Sequence, residues 1–266
     1  MATMILGDKF VGLLGLLGYW VHRVMDLQKA KMKRNGDRER LLGGMMKKYK
    51  RKVADRYDAS GLVEAQFEPG SRRRVLKNLL GIKRKREMDR VEGSEQLRAL
   101  RELIEIYGKS HRFTAADISR IHRLWLKHIY PWAGKYRGVN LTKNNFTFAA
   151  AHQVARLMED LEKGPLREFT PCKFDTIEKT IKGLAVVHTE LVLIHPFRDG
   201  NGRVARLLAT LMALQAELPP LDFGSLKGYR RKAYFAAIRA GLDRDYKPME
   251  EVFNGVIRKT LWRRKT

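Results

Sequence analysis

Five side chains that can do chemistry on a phosphate fall within twelve positions: His195, Asp199, Asn201, Arg203 and Arg206, in the stretch LVLIHPFRDGNGRVARLL at 191–208. His195 precedes Pro196, and a residue before proline is steered out of the α region, so an apolar helix ending at 194 must stop there. Gly200 and Gly202 flank Asn201, and a fresh helical pattern starts near Gly202. A glycine-bearing loop leading into a helix N-terminus offers unpaired amides and the positive end of the dipole to an anion. Arg203 and Arg206 share a face of the first turn and repel unless an anion lies between them, and phosphate suits that place. Asp199 beside such a cradle suits magnesium, which takes one or two carboxylates and completes its shell with phosphate oxygens and water. His195, with an ordinary pKa near ~6.5, stands where it would take a proton from an incoming hydroxyl. The sum is a phosphoryl- or nucleotidyl-transfer site. The plainer alternative is a helix–turn–helix joint holding a satisfied core histidine.

The elements that must position these groups are mostly helical. Apolar residues at helical spacing mark 114–130, 150–163, 174–194, 202–216, 229–243 and 247–262. The first of these opens on a Thr114 cap and carries Ile118, Ile121, Leu124 and Trp125 on one stripe. Upstream, 74–108 reads as two or more helices, and YDASGLVEAQF (57–67) as a short helix broken by EPGSRRR. One segment reads as strand: 135–149 alternates Val139 and Leu141, turns at Lys-Asn-Asn, then alternates Phe146 and Phe148. The fold class is all-α with one small β-hairpin. The expected organisation is a basic extension at 1–52, a helical segment at 53–113 and a core domain at 114–266.

Composition adds a charge problem. The chain has 266 residues, with 54 Lys and Arg against 29 acids, a formal charge of +25 and a pI near 10.3. Such a chain attracts polyanions: nucleic acid, anionic lipid, nucleotides or acidic proteins. Residues 1–52 alone hold thirteen Lys and Arg against four acids. This stretch reads as a solvated basic arm, with nucleic-acid or anionic-surface contact as the alternative. The apolar run FVGLLGLLGYWV (10–21) is well short of the ~20 residues a spanning helix needs and lacks a signal-peptide pattern. It reads as a poorly structured leader, or as sequence upstream of a start at Met45 or Met46, with a weak surface anchor as the minority reading. Cys172 is the single cysteine, which excludes an intrachain disulfide and a cysteine-pair zinc site. It reads as a small buried apolar residue, and the expected setting is cytoplasmic.

The segment His195-Pro196-Phe197-Arg198-Asp199-Gly200-Asn201-Gly202-Arg203 resembles the Fic-domain signature HPF-x-[DE]-GNGR at every specified position. YPWAGKYR (130–137) is similar to the lead-in to that family's flap hairpin, and RLLATLMALQAELPPLDF (206–223) to the helix and Pro-Pro turn that follow. The resemblance covers roughly 55–260. It implies a helical fold and transfer of AMP from ATP, with Mg²⁺, onto a Tyr, Thr or Ser hydroxyl of a protein target. It further implies His195 as general base and Asp199 as magnesium ligand. The Gly200–Gly202 backbone and the Asn201 side chain would hold the α- and β-phosphates, with Arg203 on the phosphates, Arg206 on the γ-phosphate and Phe197 packed inward. The hairpin would be the flap that takes a target segment as an added strand, with Lys143 and Asn144 contacting nucleotide or target. FAAAHQ (148–153) replaces the family's usual proline pair there.

Tyr234 matches an adenine-pocket aromatic, though the asparagine expected seven residues on is Gly241; a core tyrosine is the equal alternative. Members with an inhibitory helix carry [ST]-x-x-x-E-[GN], whose glutamate occupies the second arginine of the loop. Ser60-Gly61-Leu62-Val63-Glu64 fits up to Ala65, and Glu92-Gly93 fits within MDRVEG without the Ser or Thr. Glu64 on Arg206 is the preferred reading and implies autoinhibition. His188 reads as a hydrogen-bonded core histidine. The rivals to AMP transfer are a basic nucleic-acid-binding protein, and a transferase on the same fold using another nucleotide or phosphocholine.

Overall fold

The computed structural model describes residues 61–143 and 146–265. The expectations for residues 1–60, including the basic arm and Ser60 of the inhibitory pattern, and for Asn144 lie outside these residues.

Seven helices carry the described chain: α1 (Lys85–Ile106), α2 (Ala115–Leu126), α3 (Val154–Leu161), α4 (Ile177–Ile194), α5 (Asn201–Gln215), α6 (Tyr229–Ala240) and α7 (Lys247–Lys265). The described residues fall within one compact unit. Among the described residues no helix is long and apolar enough to cross a membrane.

The centre is α4, where the run from Gly183 to Thr189, with Leu191, Val192 and Ile194, is buried. A helix apolar on all sides must be covered on all sides, and α5, α7 and α3 pack around it. Thr176 caps it, its side chain accepting from the Lys179 amide. α2 starts on a full capping box, the Thr114 side chain accepting from the Asp117 amide and the Asp117 carboxylate from the Thr114 amide. Ile118, Ile121 and Trp125 of its stripe are fully buried.

The hairpin pairs β1 (Thr142–Lys143) with β2 (Phe146–Thr147), Thr142 opposite Thr147 and Lys143 opposite Phe146. The strands are two residues each, shorter than the alternation from Val139 to Phe148 suggested.

Two expected helices are corrected. The part of 57–67 that is described holds only a 3₁₀ turn at Val63–Ala65, after which Phe67 bridges Leu76. The 74–108 segment forms one helix from Lys85, not two or more. Upstream of it the Asn78 side chain takes over the backbone's hydrogen bonds: its Oδ1 accepts from the Leu80 and Ile82 amides, and its Nδ2 donates to the Leu76 and Ile82 carbonyls. An asparagine that competes for backbone partners in this way replaces a helical turn with a knotted loop.

Candidate active site

The end of α4 and the start of α5 meet across a six-residue turn. His195 caps α4 in the left-handed region at φ 54°, while its amide still donates to the Leu191 carbonyl at 3.1 Å. Gly200 enters α5 at φ 82°, a conformation glycine adopts without strain. A Cβ there would also sit 2.8 Å from the Trp125 ring, so the loop can rest on Trp125 only as glycine.

Asn201 holds the turn closed. Its Oδ1 accepts from the Phe197 amide and its Nδ2 donates to the Phe197 carbonyl, both at 2.7 Å, and the side chain is buried. These bonds give the Asn201 side chain the task of closing the turn, each using one of the two bonds its Oδ1 and its Nδ2 can make. Phe197 packs inward as expected, fully buried and stacked on His122 at 3.9 Å. His122 accepts from the Gly134 amide at Nδ1, so its Nε2–H faces the Asp199 carbonyl at 3.2 Å. The histidine thus ties the loop to the lead-in of the hairpin.

His195 is set up as a base. Its Nδ1 lies 3.0 Å from the Val192 carbonyl. A carbonyl only accepts, so Nδ1 carries the hydrogen and Nε2 keeps its lone pair. Phe148 of the hairpin stacks on the ring at 3.6 Å. Burial pushes the imidazole down to about 4; the Val192 bond and Asp199 oppose this, while the Arg137 and Lys143 cations add to it. The ring is therefore neutral at physiological pH and protonates only as pH falls through about 4. In Phe148→Ala, which uncovers one face, a histidine NMR titration is expected to place His195 nearer the ordinary ~6.5. An unchanged midpoint would show that Phe148 does not shield it.

The described site residues expected from sequence, His195, Asp199, Gly200, Asn201, Gly202, Arg203, Arg206, Lys143 and Tyr234, all line one cleft of about 830 Å³. The first amides of α5 have no intrahelical acceptor and form its anion-attracting end. Asp199 keeps about half of its side chain exposed, with Oδ1 accepting from the Gly200 amide at 2.7 Å and Oδ2 3.7 Å from Arg203. No cluster of three or more His, Cys, Asp or Glu able to hold a metal occurs among the described residues. A single open carboxylate beside a phosphate cradle fits a magnesium ion that arrives with a nucleotide rather than a resident one.

The arginines have different tasks. Arg203 pairs with Glu92, lies over the Trp125 ring at 4.5 Å and is about a quarter exposed. Glu92 is buried; its Oε1 accepts from the Tyr130 hydroxyl at 2.7 Å and its backbone carbonyl from the Trp125 indole at 2.8 Å. Arg206 interacts with the Tyr234 hydroxyl, which also lies 2.9 Å from His188 Nε2. Tyr234 is accordingly a buried ring whose hydroxyl steadies Arg206, and the more exposed aromatic of the cleft is Phe235. His188 is a buried, hydrogen-bonded histidine. Gly241 has a steric reason: a Cβ there would lie 2.2 Å from Thr189 Cγ2.

The expected pairing of Glu64 with Arg206 is corrected. Glu64 Oε1 accepts from the Gly138 amide at 2.6 Å, and its backbone carbonyl accepts from Arg198 Nε at 2.8 Å. Among the described residues the groups acting on Arg206 are Tyr234, Arg203 and Arg231, not Glu64. Cys172 is buried, and burial pushes its thiol up to about 12, away from nucleophilic use.

Sequence reading missed Arg137, Phe148 and the cations Arg231, Lys232 and Arg239 that α6 brings to the cleft. The run YRRK at 229–232 signalled the last group. Glu92, the second candidate for the second arginine of the loop, pairs instead with the first, Arg203.

Residues 112–213 match the model of the Fic/DOC family. The chain is 40% identical over 116 residues to Protein adenylyltransferase Fic of Nematostella vectensis, covering 42% of this chain and 26% of that protein. It is 32% identical over 184 residues to Protein adenylyltransferase fic-1 of Caenorhabditis elegans, covering 67% and 34%. The chain thus spans about a quarter to a third of the curated relatives it matches. The N-terminal Fic domain of a VirB-translocated Bep effector protein from Bartonella quintana, solved with bound ADP, superposes with a TM-score of 0.58 at 25% identity, over 72% of this chain and 94% of that one. Signature loop, helical fold with its small hairpin, and these matches agree: residues 112–213 form a domain of the Fic/DOC family.

Proposed function

We propose that the chain is a protein adenylyltransferase, moving AMP from ATP to a Tyr, Thr or Ser hydroxyl of a target protein. The observation that carries this reading is the pairing, in one cleft, of a neutral His195 whose Nε2 is free with the N-terminus of α5. The relatives named as protein adenylyltransferases support it.

The triphosphate would lie along the first turn of α5, on the amides of Asn201 and Gly202, with Arg206 and Lys143 on its outer oxygens. Asp199 would hold magnesium, which supplies charge neutralisation on the leaving pyrophosphate. His195 Nε2 takes the proton of the acceptor hydroxyl, the oxygen bonds to the α-phosphorus, and the bond to the β-phosphate bridge breaks. The imidazolium is steadied by its Nδ1–H on the Val192 carbonyl. The hairpin edge would present the acceptor segment as an added strand. A cytoplasmic setting suits this substrate. Inhibition by Glu64 through Arg206 is not part of the proposal, because Glu64 is bonded to Gly138.

The test is a donor panel of ATP, GTP, CTP and CDP-choline, each with Mg²⁺, offered to the protein and a cell lysate, reading the mass added to protein hydroxyls. An adenylyl adduct from ATP supports the proposal. A phosphate, phosphocholine or other nucleotidyl adduct in its place would overturn it.

A further inference from the structure

Arg137 is buried, charged and spent on carbonyls. Its Nε donates to the His195 carbonyl at 2.7 Å, its Nη1 to Val139 at 2.7 Å and its Nη2 to Ala149 at 2.6 Å, with the Ile194 carbonyl 3.4 Å away. Its own amide donates to the Pro196 carbonyl at 2.9 Å. Only 2% of the residue is exposed, and among the described residues no ion pair answers its charge. Such a buried cation is costly unless its donors are used; four of its five N–H groups reach carbonyls, and the Glu64 carboxylate adds a favourable charge.

What it joins is specific. Ile194 and His195 end α4, where the carbonyls form the negative end of the helix dipole and favour a cation. Val139 lies just before β1 and Ala149 just after β2, so they are the two legs of the hairpin. One planar side chain therefore fastens both legs to the backbone of His195, and Phe148, the neighbour of Ala149, lies on the His195 ring. Lysine cannot replace it, because a single ammonium has no rigid fork to span carbonyls in different directions. The clamp also holds His195 in a left-handed conformation that a non-glycine residue seldom adopts.

We propose that Arg137 is a positioning residue that locks the hairpin in register with His195, so that whatever the hairpin carries is aimed at Nε2. This rests on His195 acting as the base and the hairpin as the acceptor platform. The cradle amides and Arg206 are on α5 and make no use of Arg137, and the hairpin gives the nucleotide only Lys143, so the two halves of the site largely separate in a variant.

The experiment uses the full chain and Arg137→Lys, which keeps the charge and one donor. Exchange of the Phe148 amide, which donates to Leu141 at 3.1 Å, is expected to quicken by roughly tenfold or more as the hairpin opens locally. Affinity for the probe AMP-PNP with Mg²⁺ is expected to fall by no more than about threefold, the share Lys143 of the hairpin carries, while self-labelling from α-labelled ATP at saturation falls roughly tenfold, a loss mainly in kcat. Unchanged Phe148 exchange in a folded variant, or AMP-PNP affinity falling in step with labelling, would overturn the proposal. Should the variant not fold, the unmodified protein decides: slow exchange of the Arg137 Nε–H supports the clamp and fast exchange overturns it. Both exchange results stand apart from the reaction, so a failure of the transfer reading would leave them intact and show only as absent label.

Discussion

His195→Ala is expected to cut label transfer from ATP to protein by roughly 10²–10⁴-fold, the usual worth of a positioned general base. Nucleotide affinity should hardly move. The ring bonds only to the Val192 carbonyl and stacks on Phe148, whereas the phosphate cradle is made by the amides of α5 and by Arg206. The loss therefore belongs in kcat, with KM for ATP unchanged, the pattern of an interaction made in the transition state. The loop should survive, since it is closed by Asn201 on Phe197 and by His122 on Asp199, neither of which uses the His195 side chain. Steady-state kinetics beside AMP-PNP binding check this. A loss of affinity matching the loss of transfer would mean that His195 binds nucleotide.

Glu92→Ala is expected to cost about 3 kcal/mol of stability, the lower end for one partner removed from a buried ion pair, because Arg203 keeps some contact with water. The substitution strips the Tyr130 hydroxyl and Arg203 of their shared acceptor, and a lower denaturant midpoint with an unchanged slope would report it. Glu92→Gln keeps the shape and an acceptor for Tyr130 but loses the charge on Arg203. Its transfer rate should fall by about tenfold, roughly 1.4 kcal/mol of barrier, as Arg203 leaves its seat over Trp125 beneath Gly200. Were Glu92 a brake, either variant would transfer faster than the unmodified protein. That outcome would contradict a supporting role.

What the sequence disclosed was local. Pro196 after His195, the glycines about Asn201 and the Thr114 cap each determine the backbone within a few residues, and each appears as expected. The stripe of α2 was legible because helical periodicity reports burial directly. Asn78 was not, since its side chain imitates a backbone partner inside an apolar pattern that otherwise reads as helix. Asn201 and Tyr234 lie where chemistry was expected, yet their polar atoms face protein groups, and side-chain direction is not written in residue type. Glu92 reaches Arg203 across 111 positions, and Arg137 gathers carbonyls from both sides of the hairpin. Such partners are set by tertiary packing, which spacing along the chain does not encode.

The most direct test of AMP transfer is to follow α-labelled and γ-labelled ATP, each with Mg²⁺, into protein in parallel, using the unmodified chain and His195→Ala. The account predicts covalent label from the α-phosphate, none from the γ-phosphate, and loss of the α-label in the variant. Label from the γ-phosphate, or α-label that survives without His195, would contradict it.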